Sequence, residues 1–275
     1  MRILPRKRLS RVLGRVADLH GPQALVDGAV RAFSRVYGVD LSEAQVPEGG
    51  FSSFDAFFTR RLRPGARPVD PDPTAVVSPA DGRVEDRGGV DPHARLRVKG
   101  RTYSVAELLG DADAALRYAG GHFFIVYLSP RDYHRVHAPV SGAVELVRHV
   151  PGTLWPVNAI GLEHVPNLFA RNERVAVLQR SEHHGAVTTV LVGAMGVGRI
   201  GLSFDDLRTN AGQTIAPLRR YAGAEPELDR GAELGVFHLG STVIVFLERG
   251  VGVRFHKAPG DVVRMGEAVA RGGAR

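Results

Sequence analysis

Near the start of the chain, apolar positions recur every three or four residues, which is the spacing of an amphipathic helix. One face of the first such segment carries the apolar residues Leu9, Val12, Leu13, Val16 and Leu19. The opposite face carries the basic residues Lys7, Arg8, Arg11 and Arg15. Similar spacing predicts a second helix over 22–37 and a third over 53–62, the third capped by Ser52 or Ser53. The N-terminal part of the chain is therefore expected to be helical.

From about residue 74 the pattern changes to short apolar runs separated by turns rich in glycine and proline, such as "HFFIVYLSP" and "AVTTVLVGAMGVGRIG". Many strands with little helix between them indicate a mainly antiparallel sheet. Helical pieces are expected at 105–116 and 167–172. Three segments of the form small–Pro–x–x–Gly/Asp–x–Val resemble the hairpins of barrel-sandwich hybrids. The predicted fold class is α+β, with a mainly antiparallel β core resembling a barrel-sandwich hybrid and with N-terminal helices.

The composition fits one large domain, or one domain with a helical appendage, because 275 residues that are 44% hydrophobic can bury a sizeable core. The chain has no cysteine, which excludes disulfides, thiolate nucleophiles and cysteine-ligated metals. Its formal net charge of +7 favours an anionic partner, either nucleic acid or an acidic membrane surface. No apolar run reaches the roughly 18–20 residues that span a bilayer, and arginines interrupt any signal-peptide core. The basic amphipathic helix is typical of a segment lying in a lipid interface, although a helix packed on the domain shows the same pattern.

Three stretches hold side chains suited to catalysis. Asp81 lies in the turn "SPADGRV", where an Asp–Gly pair is also an ordinary turn signal. His134 and His137 follow the turn "SPRD" and titrate in the range that acid–base catalysis needs. Ser241 follows Gly240 at the mouth of an apolar β run, where a neighbouring base would activate its hydroxyl. Asp81, His137 and Ser241 occur in the order Asp, His, Ser, which some catalytic triads use, but the residue types alone leave structural roles open.

At these and other places the sequence resembles the bacterial phosphatidylserine decarboxylases, which are pyruvoyl enzymes. Seven segments carry the resemblance in the family's order: "FDAFFTRRLRPGARPVD" (54–70), "SPADGRV" (78–84), "YLSPRDYHRVHAPVSG" (127–142), "VPGTLWPVN" (150–158), "VPNLFARNERV" (165–175), "VLVGAMGVGRI" (190–200) and "FHLGSTVI" (237–244). The resemblance covers nearly the whole chain from about residue 50 onward. The first 45 residues match the family only in their amphipathic character.

The resemblance implies a single proenzyme that cuts itself at the Gly–Ser bond of its LGST motif. In this sequence that bond joins Gly240 to Ser241. The products would be a β chain of residues 1–240 and an α chain of residues 241–275, held together as a heterodimer. The resemblance leaves open whether these heterodimers assemble into a higher oligomer.

The resemblance also implies roles for individual residues. Asp81, His137 and Ser241 would form the charge relay of self-cleavage, and His134 would donate a proton during decarboxylation. Ser241 would become the cofactor, a covalent pyruvoyl group that forms a Schiff base with the amine of phosphatidylserine and accepts electrons as CO₂ leaves. The product would be phosphatidylethanolamine, and no metal is expected.

A phospholipid substrate implies contact with a membrane. Residues 1–45 are predicted to be an amphipathic helical region that associates with the membrane, and residues 46–275 to be the catalytic domain. The expected partner is phosphatidylserine in an anionic membrane rather than nucleic acid, and the expected location is peripheral, on the cytoplasmic face of the cell membrane. His238, just before the LGST motif, stands where relatives often carry another side chain, and the sequence gives it no role.

Other functions remain compatible with the residues taken alone. A barrel-type zinc peptidase could use His134 and His137, but it would need further ligands, and "SEHHGAV" is the only other dense histidine site. A biotinyl or lipoyl carrier would need a lysine at a hairpin tip, where this chain has Arg264 and Met265. A nucleic-acid binder would explain the charge, but no aromatic–basic recognition motif is present.

Overall fold

The computed structural model describes residues 14–195, 199–211, 215–238 and 241–272. Of the predicted first helix, residues 1–13 lie outside this description, while residues 14–17 are helical. The basic amphipathic face of that helix therefore stays a prediction. Gly240, on one side of the predicted cleavage site, also lies outside the described residues.

Helices frame the N-terminal region and one face of the sheet. After residue 17 the described helices are α1 (Gln23–Tyr37), α2 (Phe54–Phe58), α3 (Val105–Leu109), α4 (Ala112–Leu116), α5 (Ala159–His164) and α6 (Leu168–Arg171). The predicted second helix is confirmed, because α1 starts after Pro22 and ends at Gly38, whose backbone is left-handed. The predicted third helix is shorter than expected. Its cap is Ser53, whose Oγ accepts a hydrogen bond from Ala56 N at 3.1 Å.

The strands come in order along the rest of the chain. They are β1 (Ala75–Val77), β2 (Gly82–Gly89), β3 (Arg95–Val98), β4 (Arg101–Ser104), β5 (His122–Leu128), β6 (Arg135–His137), β7 (Gly142–Val150), β8 (Arg174–Ser181), β9 (Gly185–Gly193), β10 (Arg199–Leu202), β11 (Leu218–Arg220), β12 (Glu227–Leu228), β13 (Glu233–His238), β14 (Ser241–Leu247), β15 (Arg254–Phe255), β16 (Val262–Val263) and β17 (Ala268–Arg271). The named strand pairs are all antiparallel. The prediction of an α+β fold with a mainly antiparallel core is confirmed.

The largest sheet has the strand order β11-β7-β8-β9-β14-β5-β2-β16, with β12 also pairing with β7, and within the described residues it does not close into a barrel. Its central strand, β14, pairs with β9 on one side and with β5 on the other over all seven of its residues. Every residue of β14 is buried. Ser241 is the first residue of this strand, opposite Leu128 of β5 and Gly193 of β9.

The side chains of β14 alternate between two hydrophobic clusters, as strand geometry requires. Val243, Val245 and Leu247 join the cluster on one face of the sheet. Ile244 and Phe246 join the cluster on the other face, which the helices α3–α6 help to cover. A sheet buried on both faces explains why this run is continuously apolar instead of alternating with polar residues.

A third, smaller cluster joins α1 to α2. Val26 and Val30 of α1 pack with three phenylalanines of the next segment, namely Phe51, Phe57 and Phe58. These aromatic rings meet edge to face, for example Phe51 and Phe57 with centroids 5.6 Å apart. Burying a phenylalanine stabilises the fold by about 1.5–3 kcal/mol. This cluster therefore holds α2 against α1.

Candidate active site

Ser241 and His134 meet at the end of the central strand. The Nδ1 atom of His134 lies 3.3 Å from the Oγ atom of Ser241, and both residues are fully buried. His134 comes immediately after the turn at residues 129–133, just before β6. In that turn Asp132 accepts hydrogen bonds from the backbone N and the Oγ of Ser129, both at 2.7 Å. These two hydrogen bonds fix the turn that "SPRD" predicts.

The surroundings of His134 keep its imidazole neutral. The ring of Phe58 stacks on it with centroids 4.0 Å apart. Burial, followed by the charge of Arg60, lowers the pKa of His134 to about 3. A neutral imidazole can accept the hydroxyl proton of Ser241 at Nδ1. Nε2 then carries the hydrogen, and this buried atom has no hydrogen-bond partner.

His137 is held by a different pair of groups. Its Nδ1 lies 2.7 Å from the carbonyl oxygen of Gly231, and its Nε2 lies 3.1 Å from the hydroxyl of Tyr133. A carbonyl only accepts, so Nδ1 carries the hydrogen and Nε2 accepts the Tyr133 proton. Burial lowers the pKa of His137 and raises the pKa of Tyr133. Its proton-accepting nitrogen is therefore occupied by Tyr133 in this conformation.

Asp81 is tied to an arginine. The guanidinium of Arg67 reaches both carboxylate oxygens of Asp81, at 2.6–3.1 Å, and the backbone N of Met265 donates to Asp81 at 2.8 Å. Burial favours a lower pKa for Arg67, but the hydrogen bonds that Arg67 donates to Asp81 and Glu43, together with their negative charges, outweigh burial and raise its pKa. The Asp81 turn touches β6 directly, since the backbone N of His137 donates to Pro79 O at 2.7 Å.

The structure brings Ser241 to His134, which the predicted relay does not include. Among the described residues, His134 is the histidine that hydrogen-bonds to Ser241, while the side-chain hydrogen bonds of Asp81 and His137 go to other groups. The relay of Asp81, His137 and Ser241 is not tested by this conformation and stays a prediction.

His238, which had no role from the sequence, belongs to a charged cluster next to the predicted cleavage site. Its Nδ1 lies 2.7 Å from Asp55 Oδ1, and Asp55 Oδ2 lies 3.2 Å from Arg199 Nη2. Arg199 also forms a two-point ion pair with Asp18, with both contacts at 2.8 Å. The cluster links the N-terminal region to β10 and β13, which pair through Arg199 and His238.

Several site residues were missed by reasoning from the sequence. Phe58, Arg60, Arg67 and Tyr133 surround the predicted residues, yet none belongs to a catalytic residue pattern. All four lie within segments that carry the family resemblance, so the only available signal was their position beside the predicted site residues in those segments.

The described residues contain no group of three or more His, Asp and Glu side chains placed to hold a metal ion. Within these residues, the "SEHHGAV" histidines do not join His134 and His137 in such a group. Among the helices in the described parts of the chain, none is long and apolar enough to cross a membrane.

Comparison with known proteins places the chain in one family. A sequence model of the family described as "Phosphatidylserine decarboxylase" matches residues 54–271. A protein of Bordetella pertussis is 44% identical over 276 residues, covering 98% of this chain and 91% of the relative. A protein of Pseudomonas aeruginosa PAO1 is 44% identical over 273 residues, covering 98% and 94%. A third, of Myxococcus xanthus, is 43% identical over 248 residues, covering 90% and 88%.

All three relatives carry the name "Phosphatidylserine decarboxylase proenzyme". The matches span both the β-rich core and the residues of the site described above, from Asp81 to Ser241. The chain belongs to the phosphatidylserine decarboxylase family of enzymes.

Proposed function

We propose that this chain is the proenzyme of a phosphatidylserine decarboxylase that cuts itself between Gly240 and Ser241. Ser241 becomes a pyruvoyl group, and the mature enzyme converts phosphatidylserine to phosphatidylethanolamine and CO₂. The observation that carries the proposal is the contact of the buried Ser241 hydroxyl with the neutral imidazole of His134, at 3.3 Å. Membership of the family supplies the substrate.

Self-cleavage begins with removal of the Ser241 hydroxyl proton by a histidine. The oxygen then attacks the carbonyl carbon of Gly240, and the acyl group moves from nitrogen to oxygen to give an ester. Loss of the Cα proton of Ser241 breaks its Cβ–O bond, which releases the β chain with a carboxylate end. The remaining dehydroalanine takes up water and loses ammonia. The burial of Ser241 and its fixed place at the start of β14 favour this intramolecular attack.

The residues around Ser241 suit a pyruvoyl group at that position. The strand is paired on both sides, Ser241 and His134 are fully buried, and the buried Nε2 of His134 has no hydrogen-bond partner. A pyruvoyl group supplies an electron sink for decarboxylation. His134 is the chain's own group best placed to deliver a proton at this end of β14, since Phe58 fixes its ring and burial excludes competing water.

The two chains produced by cleavage would remain together as a heterodimer. The α chain would begin with β14, whose seven residues are buried and paired with β5 and β9 of the β chain. Two further strands of the α chain pair with the β chain, β16 with β2 and β17 with β1. Breaking one peptide bond removes none of these contacts.

The N-terminal region is proposed to seat the enzyme peripherally on an anionic membrane at the cytoplasmic face. Within the described residues, most of the exposed large apolar side chains lie in this region: Val16, Leu19, Leu25, Val36 and Tyr37. Exposed apolar side chains that gather into a patch commonly mark a membrane or protein contact. The basic residues predicted beside them would add attraction to anionic lipid.

The decisive experiment is intact mass measurement of the purified chain beside the Ser241→Ala variant. We expect wild-type protein to give two fragments, 1–240 and 241–275, with the smaller fragment lacking a free amino terminus, and the variant to stay whole. Folded wild-type protein that remains uncut in the presence of membrane lipid would contradict self-cleavage. Release of CO₂ from carboxyl-labelled phosphatidylserine then tests the decarboxylation.

A further inference from the structure

Arg60 is a buried cation beside the His134 turn. It lies just after α2, and only 5% of its surface is exposed. Its Nη2 atom points at the backbone carbonyls of Arg131 and Asp132, at 3.1 and 3.3 Å. Its guanidinium carbon lies 5.4 Å from the centre of the Phe57 ring. These contacts hold the guanidinium in place but use only one of its three nitrogens.

The other two nitrogens of Arg60, Nε and Nη1, have no hydrogen-bond partner, and protein covers both of them. Among the described residues, no carboxylate lies within salt-bridge distance of Arg60. By contrast, Arg67 and Arg199 each have two carboxylate partners, and Arg135 has one. Arg174 shows how a purely structural buried arginine is satisfied. All three of its nitrogens donate to backbone carbonyls.

An unpaired buried guanidinium is unfavourable by several kcal/mol unless another group satisfies it. Burial is the main reason why the pKa of Arg60 is lowered. The acids that influence it most, Asp81 and Asp132, act through space and not by contact. Arg60 therefore has the features of a group that awaits an anion.

Arg60 also lies at the right place for a substrate. Phe58, two residues before it, stacks on His134, and the charge of Arg60 contributes to the lowered pKa of His134. The carbonyls that hold Arg60 belong to the turn that presents His134 to Ser241. An anion bound at Arg60 would thus sit beside the reacting residues.

A cavity of about 670 Å³ reaches Arg60 from the side of α2. Its walls combine three arginines with a single acid, Glu48, and with apolar residues that include Val46 and Phe51. A smaller cavity of about 230 Å³ also borders Arg60, but its four arginines are balanced by four acids: Asp40, Glu43, Asp81 and Asp132. The larger cavity is the one whose charge suits an anion with an apolar attachment. Contact with the covered nitrogens requires a small opening of its wall.

We propose that Arg60 binds the oxyanion of the substrate headgroup through Nε or Nη1, beside the turn that presents His134 to Ser241. These two nitrogens lie on different edges of the guanidinium, so each offers a charge-assisted hydrogen bond of its own to an oxyanion. Both groups occur in a phosphoserine headgroup, and the shared chemistry is an oxyanion. This inference rests on the proposed function.

The test measures binding to the purified protein by NMR titration, so that it does not depend on turnover. Four probes separate the two sources of the oxyanion: glycerophosphoethanolamine, inorganic phosphate, L-serine and ethanolamine. We expect at least one oxyanion probe to bind wild-type protein about tenfold or more tightly than ethanolamine, and Arg60→Met to abolish this preference. Preference for the two phosphate probes identifies the phosphodiester as the ligand, and preference for serine identifies the carboxylate.

The neighbouring Arg61 provides the matched control, because its side chain is 64% exposed and lies on the wall of the same cavity. Arg61→Met removes the same charge and should change binding by no more than about threefold, as expected for an exposed charge. Equal losses in the two variants, or equal binding of all four probes to wild-type protein, would overturn the proposal. If Arg60→Met does not fold, Arg60→Gln replaces it. Loss of the oxyanion preference in this variant supports the proposal, and an unchanged preference overturns it.

Intact mass on the same samples separates this inference from the proposed function. If wild-type protein stays uncut but still binds oxyanions through Arg60, the result contradicts self-cleavage and supports the Arg60 site. Cut, active protein with binding indifferent to Arg60 would overturn the Arg60 site alone.

Discussion

Burial sets the chemistry of the two site histidines. His134 is stacked on Phe58 and sealed from water, so it is neutral and presents Nδ1 to the Ser241 hydroxyl. His137 is fixed by Gly231 and Tyr133, with its accepting nitrogen already in use. The same residue type, three positions apart, is thereby prepared for two different tasks.

The histidine that starts self-cleavage can be identified by single substitutions. We expect His134→Ala to slow the appearance of the 241–275 fragment by about 100-fold or more, since a positioned general base contributes roughly 10²–10⁴ in rate. The control is His183→Ala, at an exposed position away from Ser241. Time courses by intact mass measure the rate. Normal cleavage in His134→Ala together with no cleavage in His137→Ala would instead assign the step to the predicted relay through Asp81.

Burial of His134 also makes stability depend on pH. Its pKa is lowered from 6.5 to about 3, so as the pH falls below 6.5 the unfolded chain takes up a proton that the folded chain does not. The stabilisation is fully present above pH 6.5 and decreases by about 1.4 kcal/mol per pH unit on acidification. In the uncut Ser241→Ala background, adding His134→Ala should reduce the stability lost between pH 6.5 and 5 by roughly 2 kcal/mol. Urea unfolding at several pH values measures the free energy of unfolding of both variants. An equal loss of stability on acidification in both variants would contradict the lowered pKa of His134.

The side-chain contacts of the site show which parts were predictable at this scale. Ser241 could be found because a Gly–Ser step before a continuous apolar run is local information. Arg67 and Arg60 could not, because Arg67 meets Asp81 from 14 positions away and Arg60 meets the His134 turn from 71 positions away. Such pairs depend on how the turns pack against β6, and the local sequence pattern does not predict this packing.

At the scale of elements, helix α1 was predicted almost to the residue because its apolar period and its terminal Gly38 are both strong local signals. The segment 105–116 was predicted as one helical piece but contains α3 and α4. Gly110 has a left-handed backbone there, and Asp111 caps a new helix through the backbone N of Asp113 and Ala114. Helix α5 (Ala159–His164) was not predicted from the sequence.

If the proposed cleavage takes place, strand β14 is the element expected to hold the two chains together. Phe246 is fully buried and packs near Tyr118, with ring centroids 5.6 Å apart. Phe246→Ala should destabilise the protein by about 3–5 kcal/mol and should let the α chain dissociate after cleavage. Val262→Ala is the matched control, since Val262 lies in the same predicted chain but is 68% exposed. Native size exclusion followed by a denaturing gel detects the free fragment. Retention of the fragment by Phe246→Ala would argue against β14 as the main attachment.

At the scale of the whole molecule, the site lies between the β core and the N-terminal helices. The cluster of Asp18, Arg199, Asp55 and His238 ties residues near the first helix to the strand that leads to the cleavage site. The phenylalanine cluster ties α1 to α2, and α2 leads to Arg60. The N-terminal helices are therefore attached directly to the elements that carry the site.

Docking on a membrane by the N-terminal region can be tested on its exposed apolar residues. Leu25 and Val36 of α1 are 70% and 75% exposed, respectively, while Val26 and Val30 of the same helix are buried against the phenylalanines. The double variant Leu25→Glu/Val36→Glu should reduce flotation with anionic vesicles about tenfold or more, because burying each apolar side chain contributes about 1.5–3 kcal/mol and the added negative charges oppose anionic lipid. Leu116→Glu is the control, because Leu116 is 65% exposed but lies on α4, outside the N-terminal region. Equal loss of flotation in both proteins would point to non-specific hydrophobic binding, and no loss in either would show that α1 does not face the membrane.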